Sequence, residues 1–230
     1  MTSDDPRPAH RLGDLGTGVR NERFQAPGRV EALSDGVFAI VLTILVLEIA
    51  VPDDLSSASL RTALHELRPT FAAWIISFLI VGMYWVAHRD LFVRVKVANR
   101  DLIWINLLFL LTVSLVPFGA SVLGKYPAEP LALHLYGVTV LAASVMRMGM
   151  FWYVIRRPWL CWDDAIDHRV RLGVALSAMP IPVFLLAMAV AGWSTTASRI
   201  LFFSVPILYF VLITLLRDRA GTHDEADEFS

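Results

Sequence analysis

The chain has 230 residues, 56% of them hydrophobic, a mean hydropathy of +0.59 and a formal net charge of −1. A soluble domain is about 45–50% apolar, so this composition excludes an ordinary soluble protein. The near-zero net charge hides a strong asymmetry along the sequence.

The first residues are polar and contain no apolar run, so no cleavable signal peptide is expected. Six apolar stretches follow, at about 33–51, 69–88, 102–123, 131–155, 172–192 and 198–216. Each is long enough to cross a bilayer as a helix, which takes roughly 20 residues. Barrel strands would be shorter and strictly alternating. The first stretch therefore serves as its own insertion signal. Residues 1–28 and 218–230 read as solvated tails, the first one disordered and the second acidic, flanking a membrane domain at 29–217.

Span one has a polar entrance, Arg29, Glu31, Ser34 and Asp35, and then a single hydroxyl, Thr43, in an apolar run. A plain anchor needs neither. Gly36, Ile40, Thr43 and Leu47 recur at helical spacing and form one face, bordered by Ile44, with Glu48 beside its outer end. Two readings of this stripe stand side by side. It is a packing face, as most such stripes are, or copies of it around an axis form rings that line a pore. Span two ends near Trp85 and His88, and span three places Asn106 about one turn inside.

Arg29, Ser34, Asp35, His88 and Asn106 thus fall near one membrane depth. They either bond to each other and fix how span one packs, or reach water separately. Arg147, in span four, is expected to snorkel toward the nearer surface rather than sense voltage. Trp152, Tyr153, Trp159 and Trp162 close that span and read as interfacial anchors, with Pro158–Asp164 lying along the interface. The only cysteine, Cys161, follows, so no intrachain disulfide can form.

Positive charge decides orientation. The first tail, the second connection (Arg89, Arg94, Lys96, Arg100), the fourth (Arg156, Arg157, Arg169, Arg171) and the last tail (Arg217, Arg219) hold most of it. By the positive-inside rule, these segments and both termini are cytoplasmic.

The motifs of the first three spans carry a resemblance. Arg29, Leu33-Ser34-Asp35-Gly36, Val37-Phe38-Ala39-Ile40 and Thr43 are similar to the Arg-x-x-x-Phe-Ser-Asp-Gly pattern of the transmembrane protein 175 family, specifically the bacterial relatives of the endolysosomal potassium channel. Tyr84-Trp85-Val86-Ala87-His88 and Trp104-Ile105-Asn106, leading to Val116-Pro117-Phe118, resemble further family stretches. The last three spans match mainly by number.

The resemblance implies an all-α membrane protein with six transmembrane helices per subunit and a homotetramer whose first helices line a central pore. It implies Ile40 as a hydrophobic constriction, Thr43 as a hydroxyl layer and Leu47 as a second apolar layer, with Ile44 between them. Arg29, Ser34 and Asp35 would tie span one to the second and third through Trp85, His88 and Asn106. Two residues depart from the pattern. Leu33 replaces the usual Phe, which alters packing at the inner end. Arg89 replaces a second His, which counts against proton chemistry by a His pair.

The expected function is a potassium-preferring cation channel in the cell membrane, bacterial inner membrane by the resemblance. Its expected partners are lipid, further copies of the chain and permeant potassium or other monovalent cations, with no nucleic acid and no resident metal or cofactor. A proton- or ion-coupled transporter is the alternative. It would be expected to carry carboxylates near the midplane, and Asp35 and Glu48 both lie toward helix ends. No metal-ligand spacing or phosphate loop suggests an enzyme.

Overall fold

The computed structural model describes residues 26–50, 57–162, 173–174 and 176–227. The expected disorder of the first tail (1–25) and the end of the Pro158–Asp164 stretch lie outside them. Among the described residues the secondary structure is helical, with one isolated bridge between Val95 and Cys161.

Helix α1 spans Gly28–Leu47, so the polar entrance Arg29–Asp35 is itself helical. At ~1.5 Å per residue its 20 residues reach about 30 Å, the thickness of a hydrocarbon core. A short helix not foreseen from the sequence, α2 (Ser57–Glu66), precedes α3 (Arg68–Phe92). Pro69 sits in the first turn of α3, where its missing N–H costs nothing.

The third apolar stretch is two helices, α4 (Arg100–Ser114) and α5 (Val116–Lys125). Asn99 caps α4 by accepting the Leu102 N–H at 3.1 Å. The break at Leu115 follows from Pro117, which cannot donate to the turn before it. Around the break, the Thr112 hydroxyl donates to the Phe109 carbonyl and the Ser114 hydroxyl to that of Leu111, at 2.7 and 2.8 Å.

Helix α6 spans Pro130–Ile155, α7 Pro180–Val190 and α8 Thr195–Asp227, with Pro206 inside α8. In the fifth stretch, expected over 172–192, the described residues form an apolar helix over Leu176–Val190, and Pro180 and Pro182 interrupt its hydrogen bonding. Among the described residues, five helical stretches are long and apolar enough to cross a membrane: α1, α3, α4–α5, α6 and the first part of α8. The α8 backbone then runs past residue 217 to Asp227, where composition suggested a solvated tail. That extension holds Arg, Ala and Glu and no proline, with Gly221 its poorest helix former.

Helix α3 packs on α5, α4 on α6, and α7 between α6 and α8. The α4–α5 stretch is the most enclosed, with 56% of its apolar window buried, against 28% for α1. Glycine permits a close backbone approach: a Cβ on Gly124 would lie 3.0 Å from the Thr70 Cα, where α5 meets α3. Helix α1 rests on α3, α4 and α5 by one face only.

Candidate functional site

The two faces of α1 differ in what they touch. Val30, Ser34, Phe38, Val41 and Leu45 are buried and recur at helical spacing. Gly36, Ile40, Thr43, Ile44 and Leu47 lie on the other side and are exposed, Leu47 at 74% and Ile40 at 59%. Among the described residues, the stripe is therefore not a packing face within the subunit.

The buried face is held by a directed chain of hydrogen bonds. The Ser34 hydroxyl donates to the Val30 carbonyl at 2.8 Å and accepts from Asn106 Nδ2 at 3.0 Å. Asn106 Oδ1 lies 2.8 Å from His88 Nε2. An amide oxygen only accepts, so in this amide orientation His88 Nε2 carries the proton and donates. The imidazole is sandwiched between Phe92, at 4.4 Å between centroids, and Phe109, at 5.8 Å, with Phe38 tilted against it at 5.9 Å. Ser34, His88 and Asn106 are all buried, so each bond replaces one that water cannot supply.

The expected network is divided. Asp35 is exposed and accepts from Trp85 Nε1 at 2.8 Å, a second tie between α1 and α3 at the edge of the first. Arg29 is exposed and joins neither set. On the open face, the Thr43 hydroxyl lies 3.0 Å from the Ala39 carbonyl and 2.9 Å from that of Ile40, within its own helix. It can donate to one and keep its lone pairs turned outward. Glu48 caps the end of α1, just past Leu47.

A second buried polar set was not anticipated. Tyr84 donates to the Val140 carbonyl at 2.6 Å and lies 2.9 Å from the Ser144 hydroxyl. Ser77 donates to the Tyr136 hydroxyl at 3.1 Å. Tyr136, Val140, Ser144 and Arg147 recur at i, i+4, i+8 and i+11, a helical period that was available in the sequence.

Arg147 corrects the snorkelling expectation. It is 3% exposed and turns into the protein. Its guanidinium donates to the Ser177 hydroxyl and carbonyl, both at 2.9 Å, and to the Leu176 carbonyl at 3.2 Å, while Nε has no partner among the described residues. Pro180 has no N–H to give the Leu176 carbonyl four residues back, so Arg147 takes that place. Among the described residues, no group of three or more His, Cys, Asp or Glu is placed to hold a metal ion.

Residues 29–117 match the family model described as endosomal/lysosomal potassium channel TMEM175. The chain is also 35% identical over 164 residues to a potassium channel of Streptomyces collinus, covering 68% of this chain and 79% of that protein. The chain belongs to the TMEM175 family. A crystal structure of a lysosomal potassium-selective channel TMEM175 homolog from Chamaesiphon minutus superposes with a TM-score of 0.72. It is 28% identical and covers 80% of this chain and 96% of that one. The human endosomal/lysosomal proton channel TMEM175 is 26% identical over 223 residues, which span 94% of this chain and 41% of the human protein. The TMEM175 family and these relatives are ion channels, not enzymes. With its apolar helices, the chain is a multi-pass membrane protein of this family. The model match covers α1, α3 and α4, the helices that carry the Ser34, Asn106 and His88 cluster.

Proposed function

We propose that the chain is one subunit of a potassium-preferring cation channel, a homotetramer in which four α1 helices surround the ion path. One observation carries this reading. Helix α1 is fastened by its buried face, while Ile40, Thr43, Ile44 and Leu47 stay uncovered on the other. Membership of a family that includes relatives named as potassium channels supports it.

Around an axis, Ile40 would form a ring that excludes water when narrow and conducts when widened. Thr43 would place hydroxyl oxygens one turn above, able to replace part of a cation's water shell. Leu47 would form a second apolar ring, with Ile44 between, and Glu48 would draw cations to the outer mouth. No resident metal or cofactor is needed, because the ion is cargo.

In this reading α7 and the segment before it complete a sixth crossing, and both termini lie in the cytoplasm, as the Arg and Lys distribution favours. Residues 29–217 form the channel domain in the cell membrane, flanked by tails at 1–28 and 218–230.

Recording from the purified chain in a planar bilayer tests the proposal. Unitary cation currents, larger in potassium than in sodium and independent of any counter-substrate gradient, are expected. Slow saturable flux with strict exchange and no unitary events would instead identify a coupled transporter.

A further inference from the structure

Far from the open stripe of α1, the connection between α3 and α4 closes on the one after α6. The Lys96 N–H donates to the Leu160 carbonyl at 2.7 Å, and the Trp162 N–H to that of Arg94 at 3.2 Å. Val95 pairs antiparallel with Cys161 between them. A turn of 3-10 helix, Pro158–Leu160, buries Leu160 and leaves Trp159 and Trp162 half exposed on the same ledge.

Basic groups are gathered there. Segments 89–101 and 156–162 contain six Arg or Lys and two Asp. Residues 163–171, outside the described residues, add three Asp and two Arg, which leaves the two connections net positive. Three of the cations lie over aromatic rings. The Lys96 ammonium is 5.3 Å from the Trp162 ring, the Arg156 guanidinium 4.3 Å from Trp152, and that of Arg157 3.7 Å from Tyr153. These contacts hold each cation in place without neutralising it. Arg157 Nη1 also reaches the Tyr153 carbonyl at 3.5 Å, and the other guanidinium N–H groups can donate to an anion.

We propose that this ledge seats the phosphate headgroups of anionic phospholipids. The occupant follows from the mixture of groups. Free phosphate or an acidic peptide would account for the cations but not for Trp152, Trp159 and Trp162, each about half exposed beside them. Exposed indole rings at the ends of membrane helices settle at headgroup depth. That depth brings Lys96, Arg156 and Arg157 level with lipid phosphates, while the apolar sides of α4 and α6 continue below among the acyl chains. The inference concerns lipid recognition and stands whether or not the protein conducts ions.

Native mass spectrometry of the purified full chain tests it, with phosphatidylglycerol and phosphatidylcholine titrated in parallel. The unmodified chain should retain phosphatidylglycerol preferentially, by about fivefold for each engaged cation. Lys96→Gln/Arg156→Gln/Arg157→Gln should lose the preference. Arg61→Gln/Lys125→Gln/Arg199→Gln, an equal loss of charge outside the ledge, should keep it. Equal retention of both lipids, or equal loss of preference in the two variants, would overturn the proposal. So would displacement of phosphatidylglycerol by inorganic phosphate at equal concentration. If the ledge variant does not fold, the unmodified chain in rising salt is sufficient: anionic adducts should fall away while zwitterionic ones persist. Salt-independent adducts would contradict the proposal.

Discussion

The two faces of α1 share a backbone and a helical period but answer to different constraints. On one face, Ser34 and Phe38 are enclosed and every polar atom needs a protein partner, which Asn106 and Val30 supply. On the other, Ile40, Thr43 and Leu47 are exposed. The first face fastens the helix to the rest of the subunit, and a fastened helix presents the second in a defined orientation. A buried polar cluster of this kind is better understood as a support for a neighbouring surface than as the working surface itself.

Substitution can break the comparison at either face. Phe38 is 1% exposed and packs against His88 and Phe109, so Phe38→Ala should destabilise the subunit by roughly 3 kcal/mol. Thermal unfolding in detergent measures this, and a cost no larger than that of Leu47→Ala would erase the distinction between the faces. Asn106→Leu strands His88 Nε2 and removes the donor to the Ser34 hydroxyl, a loss of about 1–3 kcal/mol. Combined with Ser34→Ala it should cost less than the sum, because the two share one chain of bonds.

Asp35→Ala removes only the exposed bond to Trp85 and should cost about 1 kcal/mol of subunit stability. Its larger expected consequence is weaker assembly, read as loss of tetramers by native mass measurement. Ile40→Asn should change stability least, within about 0.5 kcal/mol. Its effect should appear as higher conductance or leak, because a polar ring wets more easily. Unchanged currents in that variant would remove Ile40 from the constriction.

Much of the first cluster was legible in the sequence because its residues fall in recognisable motifs, and their depths follow from counting helical turns. Ser34, Asn106 and His88 could be brought to one level on that basis. The division that leaves Arg29 outside and pairs Asp35 with Trp85 could not, since it depends on side-chain direction at a helix end. Arg147 was misread for a related reason. Its site is built from Ser177 and from the Leu176 carbonyl that Pro180 leaves without an N–H, partners that no local pattern around Arg147 announces. The shortness of α7 was readable from Pro180 and Pro182, whereas apolar content alone suggested a full span. Exposure of the α1 stripe is a tertiary fact, and period alone favoured packing over pore lining.

The most direct test of the central claim compares the faces during conduction. Single cysteines are placed at Thr43 and Leu47 on the open face and at Val41 on the buried one, and potassium current is recorded while a charged thiol reagent is applied. The native Cys161 interferes little: it is buried, and burial raises its thiol pKa above the ordinary value against a smaller opposing pull from Arg94. A Cys161→Ser background removes it altogether. Modification should cut the current through Thr43→Cys and Leu47→Cys and leave Val41→Cys unchanged. Equal insensitivity at all three positions, in a chain that still conducts, would contradict a pore lined by α1.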